Sequence, residues 1–199
     1  MRRVKRLHTG GSTGNKQLTM LLASVLLVLL AIEGATLLQI RSLLTVHAFV
    51  GMLLIPVVAL KLASTGWRML SYYRGSEAYV RLGPPPMILR ALVAPVLILS
   101  TVVLFGTGVG LLALGQTEGT VVALHKASFI VWFGAASVHV VAHVWKLPRT
   151  FRLRAAGSGL RISLVAGTVA AGVFLAVMTL PSADRLQDRA TGHVHFDGD

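Results

Sequence analysis

The amino-acid sequence predicts an all-α, multi-pass membrane helical bundle with five transmembrane helices. Of its 199 residues, 54% are hydrophobic and only 13% are charged, whereas a soluble domain carries about 25% charged residues. The mean hydropathy is +0.73, and the apolar residues fall into five separate runs. Each run is long enough for a membrane-spanning helix, which needs ~20 residues. The cationic residues collect between alternate runs, as they do in membrane proteins.

The first apolar run follows a short basic tail. A signal peptide also begins in this way, but its apolar core is only ~7–15 residues long. The run in this chain is longer, so we expect an uncleaved first span. The predicted domains are a basic inner tail over residues 1–17, a five-helix transmembrane domain over 18–180 with spans at 18–40, 43–65, 87–114, 121–145 and 160–180, and an outer polar tail over 181–199.

The distribution of Lys and Arg predicts the orientation. With five spans, all but four of the 19 cations lie on one side of the membrane. Cytoplasmic loops are enriched in Lys and Arg, so we expect the N-terminus inside and the C-terminus outside a cell membrane. The formal charge of +12 then reflects the Lys and Arg residues of the cytoplasmic loops, so the lipid bilayer and no nucleic acid is the expected partner. The four cations on the outer side are Arg41, Lys126, Arg185 and Arg189.

Histidines within the spans are the candidate functional residues, because ionisable side chains in a spanning helix are costly and need partners. His47 lies four residues past the start of span two, and His125 lies four past the start of span four. Both spans run inward from the outer face, so the two imidazoles are expected at the same depth. Two neutral imidazoles at one depth suit a b-type haem, whose iron takes one nitrogen on each face.

Residues near the two histidines fit such a cofactor. Gly51 lies one turn below His47 and leaves room for a ring to approach. Arg41 and Lys126 flank the histidines in sequence and are expected to pair with the haem propionates. The sequence has no cysteine, which excludes c-type haem attachment, Cys-ligated iron–sulfur clusters and thiolate catalysis. It also has no Ser-His-Asp set and no pair of catalytic carboxylates, so no catalytic residue is predicted.

This arrangement resembles the bacterial membrane b-type cytochromes, including those that serve hydrogenases and formate dehydrogenases as membrane subunits. The resemblance covers roughly Leu43–Trp145 and depends on the pairing of His47 with His125. It implies a bundle of four or five helices that carries one-electron transfer between a quinone pool and a redox partner protein. It also implies that the chain is an oxidoreductase subunit in a homo- or hetero-oligomer, and it makes a quinone a second candidate cofactor.

The same resemblance raises the question of a second haem, because this family often holds two haems between two helices. His139 is then the candidate inner ligand, since it lies fourteen residues after His125, four turns of a 3.5-residue repeat. The residue fourteen positions after His47 is Lys61, and a lysine ammonium usually stays protonated and extends to the headgroups. We therefore expect one haem b, while a second one near His139 and Lys61 stays open.

Other interpretations of the histidines also stay open. His47 and His125 are compatible with a hydrogen-bonded contact between helices that needs no cofactor. A non-redox membrane subunit or transporter would use these histidines and Glu33 to handle protons or a metal ion. His139 and His143, at i and i+4, have the spacing to bind a transition metal together. A small enzyme that reduces ferric or other substrates at the outer face is a further class.

Four other features have simpler interpretations. The glycine-rich run Gly106–Gly110 in span three indicates close helix packing by small residues. Pro56 predicts a kink in span two. The aromatic and basic loop Trp67–Arg81 indicates contact with lipid headgroups or a docking surface. The tail histidines His193 and His195 indicate either a weak copper or nickel site or, more simply, a disordered tail.

Overall fold

The computed structural model describes residues 11–81, 83, 87–146 and 157–192, and all regular structure within these ranges is helical. The prediction of an all-α fold is confirmed for this part of the chain. The five long helices are α1 Gly11–Thr36, α2 Leu44–Tyr73, α3 Ala94–Leu114, α4 Thr120–His143 and α5 Ser158–Thr191. A 3₁₀ turn follows α1 and another follows α4, and a single helical turn lies in the loop after α2.

All five helices are long and apolar enough to cross a membrane, which confirms the predicted number. Their outward-facing side chains include many large apolar groups, such as Ile130, Leu99 and Phe174, with 71%, 68% and 65% of their surface exposed. An apolar surface of this extent is unfavourable in water and favourable against lipid chains. The described structure therefore fits a multi-pass membrane protein.

Helix α2 lies at the centre of a three-helix group with α1 and α5. The core of this group contains Leu22 of α1, Val57 of α2 and Ala176 of α5, none of which has any exposed surface. At Gly172, α5 approaches the backbone of α2 so closely that a Cβ atom would overlap the carbonyl oxygen of Leu53. Small residues thus allow the close backbone approach on which helix packing in membranes depends.

Helices α3 and α4 pack against one another as a hairpin, while α3 makes smaller contacts with α2 and α5. Gly115 ends α3 in the left-handed conformation, with φ of 63°, and its N–H donates to the Leu111 carbonyl. A π-helical turn over Leu89–Val93 precedes α3. Pro95 follows this turn, and its ring excludes an ordinary α-helical bond to the residue four positions earlier.

Two helices are longer than a hydrocarbon layer of ~30 Å requires. At ~1.5 Å per residue, α2 is about 45 Å long and α5 is about 51 Å long. Helix α2 continues through Pro56 to Tyr73. Helix α5 continues through Pro181 to Thr191 and so includes the first eleven residues of the predicted polar tail.

The final turns of α5 are helical because they pack back onto the protein. Ala183 and Leu186 are 2% and 5% exposed. The side-chain oxygen Oε1 of Gln187 accepts a hydrogen bond from the backbone N–H of Thr45 at the start of α2, at 2.9 Å. Arg189 donates to the Gly115 carbonyl at the end of α3, at 2.7 Å. The extension of α5 therefore connects the three-helix group to the α3–α4 hairpin.

The bundle has two ends, and we name each after one residue of α2. At the His47 end, α1, α3 and α5 finish and α2 and α4 begin. At the Lys61 end, α2 and α4 finish and α1, α3 and α5 begin. The predicted tail residues 1–10 and 193–199 lie outside the described residues, and with them lie His193 and His195.

Candidate functional site at the His47 end

The structure brings together the imidazole rings of His47 on α2 and His125 on α4. Their ring centroids are 6.5 Å apart and their planes are nearly perpendicular, at 87°. His47 is the fourth residue of α2 and His125 is the sixth residue of α4. The two helices begin at the same end of the bundle and run in the same direction, so similar positions along them give similar depths. This depth relation could be derived from the sequence.

Two groups on α1 surround the Nδ1 atom of His47. The hydroxyl oxygen of Thr36 is 3.0 Å from Nδ1, and the carboxyl oxygen Oε1 of Glu33 is 3.1 Å from it. The Thr36 hydroxyl donates its own proton to the Glu33 carbonyl oxygen, at 2.6 Å. The hydroxyl oxygen is therefore an acceptor toward His47, and Nδ1 carries the proton.

His125 has the same kind of support, supplied by α3. Its Nδ1 atom is 3.1 Å from the Leu104 carbonyl oxygen and 3.0 Å from the Thr107 hydroxyl oxygen. A carbonyl oxygen only accepts hydrogen bonds. The Thr107 hydroxyl donates to the Val103 carbonyl, at 2.7 Å, and so is also an acceptor here. The Nδ1 atom of His125 thus carries the proton.

These hydrogen bonds determine which nitrogen remains for a ligand. In a neutral imidazole one nitrogen is protonated and the other has a free lone pair. Because Nδ1 is the donor in both His47 and His125, the lone pair is on Nε2 in each ring. A hydrogen bond from Nδ1–H to a carboxylate or carbonyl is the usual support of an imidazole that binds a metal. The pair therefore has the donor set of a two-histidine metal ligation.

Two glycines allow the close packing at this site. An added Cβ at Gly108 of α3 would lie 3.3 Å from Cε1 of His125, so the absence of a side chain there lets the ring contact the helix. An added Cβ at Gly51 of α2 would lie 3.5 Å from Oε1 of Glu33. Gly51 thus adjoins the carboxyl group that contacts His47. Gly108 belongs to the glycine-rich run that the sequence indicated as a packing element.

Glu33 is the most unusual polar group in the site. Its carboxyl oxygen Oε2 is buried and has no hydrogen-bond partner among the described residues. The side chains of Glu33 and His47 are only 17% and 20% exposed. By contrast, Arg41 and Lys126, the predicted partners of haem propionates, are exposed at the surface near this end.

The Lys61 end has a different arrangement of ionisable groups. His139 and His143 stack on one another, with ring centroids 4.6 Å apart. The Nδ1 atom of His143 contacts the His139 carbonyl oxygen at 2.9 Å. Lys61 donates to the Thr19 carbonyl oxygen at 2.7 Å. Within the described ranges, this end therefore stacks two histidines of one helix, whereas the other end brings together histidines of two different helices.

A polar cluster between α1 and α2 lies beside Lys61. The Ser64 hydroxyl donates to the Asn15 side-chain oxygen at 2.9 Å and is 2.6 Å from the Thr19 hydroxyl. These contacts satisfy buried polar groups within a mostly apolar interface. No group of three His, Cys, Asp or Glu side chains in the described residues has the arrangement of a metal site.

Sequence reasoning missed Thr36, Thr107 and the Leu104 carbonyl. Thr36 lies three residues after Glu33, on the same face of α1. The glutamate within the span therefore indicated which face of α1 to search for further polar groups. Thr107 lies within the glycine-rich run of α3. The Leu104 carbonyl could not be identified from the sequence, because every residue has a backbone carbonyl group.

Comparison of the chain with protein families, with curated proteins and with solved structures gives no match. The resemblance to membrane cytochromes b therefore stays a prediction from the spacing of the histidines.

Proposed function

We propose that this protein binds one b-type haem between His47 and His125 and carries one-electron transfer in a cell membrane. The observation that carries the proposal is the pair of imidazoles 6.5 Å apart on different helices. A metal ion holds an imidazole nitrogen ~2 Å away, so two rings that bind one ion from opposite sides have centres about 6 Å apart. The observed separation agrees with this requirement.

The chemistry of the ligands supports the same proposal. Both rings use Nδ1 for hydrogen bonds with a neighbouring helix, and the lone pair on Nε2 is the one that a haem iron takes. When bound, the haem would accept and release one electron at its iron. His47 and His125 would hold the iron, while α1 and α3 would fix the orientation of the two rings. The exposed side chains of Arg41 and Lys126 would meet the propionates.

The predicted orientation gives this haem a position near the outer face. The Lys61 end is about 20 Å away, since fourteen residues separate His47 from Lys61 and each contributes ~1.5 Å. Electrons would therefore enter and leave through the outer half of the bundle and the membrane plane. A quinone pool and a redox partner protein are the proposed donor and acceptor. His139 stacks on His143 of its own helix, and this gives less support to a second haem.

The test is the absorption spectrum of the purified protein from haem-replete cells, recorded before and after reduction with dithionite. A b-type haem gives a sharp band on reduction, and the pyridine adduct gives the number of haems per chain. We expect one haem in the wild type and none in His47→Ala or His125→Ala.

Matched controls are available on α4 itself. His139→Ala and His143→Ala remove imidazoles from the same helix as His125 and should leave the haem content unchanged. A colourless wild-type preparation would contradict the proposal, and so would a haem that survives both His47→Ala and His125→Ala. Loss of half of the haem in His139→Ala would instead indicate a second site at the Lys61 end.

The buried oxygen of Glu33 favours a second candidate function, which is the handling of protons or a metal ion without a haem. A carboxyl group with one unpartnered oxygen, next to a pair of histidines, is typical of ion pathways in membranes. A colourless protein whose proton or metal-ion flux in vesicles depends on Glu33 and His47 would favour this function.

A further inference from the structure

We propose that Glu33 is a positioning residue for His47 and that its carboxyl group, when ionised, lowers the reduction potential of the haem. This inference rests on the proposed function, because it acts through a histidine that binds the iron. The juxtaposition that carries it is the carboxyl oxygen Oε1 at 3.1 Å from Nδ1 of His47, on the side of the ring opposite to the ligand nitrogen.

The site is built to keep the carboxyl group in this place. Glu33 projects from α1 toward α2, where Gly51 leaves space beside Oε1. Thr36, one turn further along α1, has its hydroxyl oxygen 3.0 Å from the same Nδ1 atom. The second carboxyl oxygen, Oε2, is buried without a hydrogen-bond partner in the described part of the chain. Burying such a group is costly, and structural support of His47 alone would require only Thr36.

The two histidines differ in the acceptors that they meet. His47 faces a carboxyl group as well as a hydroxyl, whereas His125 faces a backbone carbonyl and a hydroxyl. When its carboxyl group is ionised, Glu33 accepts a hydrogen bond roughly twice as strong as one between neutral groups. In this form it polarises the Nδ1–H bond of His47 more strongly than the neutral acceptors polarise that of His125.

This difference has a direct consequence for the electron that the haem would accept. A strong acceptor at Nδ1 makes the imidazole a better electron donor through Nε2. A better donor stabilises the ferric iron more than the ferrous iron, since the ferric ion has the higher positive charge. Reduction adds one electron to the iron and neither makes nor breaks a bond. Glu33 thus makes reduction less favourable.

The test is a redox titration of the full-length Glu33→Gln protein, with dithionite as the reductant and the reduced haem band as the signal. Glutamine has nearly the same shape and keeps an oxygen that accepts from Nδ1–H, so the haem content should stay at the wild-type value. The potential should rise by about 59 mV, which corresponds to a tenfold change in the equilibrium constant for one electron.

Two control variants separate this effect from nonspecific ones. Glu118→Gln removes a carboxyl group from the exposed turn between α3 and α4 and should leave the potential unchanged. Thr107→Val removes a neutral acceptor from His125 and should shift the potential by less than Glu33→Gln does. The proposal is overturned if Glu33→Gln keeps its haem and its potential stays at the wild-type value, or moves no more than that of Thr107→Val.

If Glu33→Gln loses its haem, the variant Thr36→Val tests the role of Glu33 instead. It removes the hydroxyl that competes with Glu33 for the Nδ1–H group of His47, so this group would donate to Glu33 alone. The reduction potential of the haem should then fall. A rise in the potential of Thr36→Val would contradict the role of Glu33. A wild-type protein without haem contradicts the proposed function instead, so the two failures can be told apart.

Discussion

Each histidine of the pair contacts a threonine whose hydroxyl proton is already used within its own helix. Thr36 donates to the Glu33 carbonyl, and Thr107 donates to the Val103 carbonyl. The hydroxyl oxygens can then only accept, so they select the tautomer in which Nδ1 is protonated. A threonine that bonds back to its own helix is usually regarded as a local feature. Here it also determines the chemistry of an imidazole on a neighbouring helix.

Gly108→Ala tests how closely His125 must approach α3. The new methyl group would lie 3.3 Å from Cε1 of the imidazole, which is tighter than an ordinary contact, so the ring must turn or move away. We expect a reduced haem content per chain, or a shifted reduced band, in the purified protein. Absorption spectra of the pyridine adduct and of the reduced protein measure both quantities.

Gly106→Ala is the matched control, because it makes the same change two residues earlier in α3. An added Cβ at Gly106 meets no atom within 4 Å. We expect the spectrum of Gly106→Ala to equal that of the wild type and the spectrum of Gly108→Ala to differ from both. Identical spectra for all three proteins would show that the position of His125 does not depend on this contact.

The identity of the two histidines could be inferred from the sequence, while their supporting groups could not. The depth of His47 and His125 follows from the direction and start of each span, which hydropathy and charge define well. The contacts of Nδ1 depend on how α1 and α3 are rotated about their axes, and hydropathy does not fix this rotation when apolar residues cover every face. Glu33 could be identified as a functional residue, but its contact with His47 could not.

At the scale of the helices, the interface between α2 and α5 depends on the absence of a side chain at one position. Gly172→Ala would introduce a Cβ that overlaps the Leu53 carbonyl oxygen. Backbone atoms cannot turn away as a side chain can, so the two helices must separate. Overpacking of this kind costs about 1–3 kcal/mol, and we expect a lower Tm for the detergent-solubilised protein in a thermal unfolding assay.

Gly167→Ala provides the comparison for this change. Gly167 lies in the same helix and an added Cβ there contacts nothing within 4 Å. The variant should unfold at the wild-type temperature or slightly above it, because alanine favours a helix more than glycine does. Equal destabilisation by the two substitutions would mean that the loss of glycine, and not the contact with Leu53, lowers the Tm.

The extension of α5 illustrates the limit of prediction for whole elements. Pro181 and the polar residues after it are typical of the end of a spanning helix, so a tail was expected there. The helix continues because Ala183 and Leu186 are buried against the protein and because Gln187 and Arg189 bond to the ends of α2 and α3. These contacts are tertiary, and they outweigh the loss of one backbone hydrogen bond at proline.

For the whole molecule, the candidate site lies where two helical groups meet. Helices α1, α2 and α5 form one group and supply His47, whereas the α3–α4 hairpin supplies His125. The connection between the groups at this end includes the bond from Arg189 to Gly115. A haem ligated by both histidines would add a further connection between them. Cofactor binding is therefore expected to stabilise the arrangement of the two groups as well as to provide the redox centre.

The proposed position of the haem near the outer face depends on the orientation of the bundle, which single cysteines can test. The natural sequence contains no cysteine, so Glu77→Cys and Glu118→Cys each introduce one thiol. Both glutamates are exposed, one in the short helical turn after α2 and the other in the turn between α3 and α4. A membrane-impermeant maleimide applied to intact spheroplasts should label Glu118→Cys and not Glu77→Cys.

Permeabilised membranes are the control, since both thiols should then react to the same extent. Labelling of Glu77→Cys alone in intact spheroplasts would reverse the orientation and move the histidine pair to the inner face. The electron donor or acceptor would then be a cytoplasmic protein. Labelling of both thiols in intact spheroplasts would mean that α3 does not cross the membrane, because the two cysteines lie at opposite ends of it.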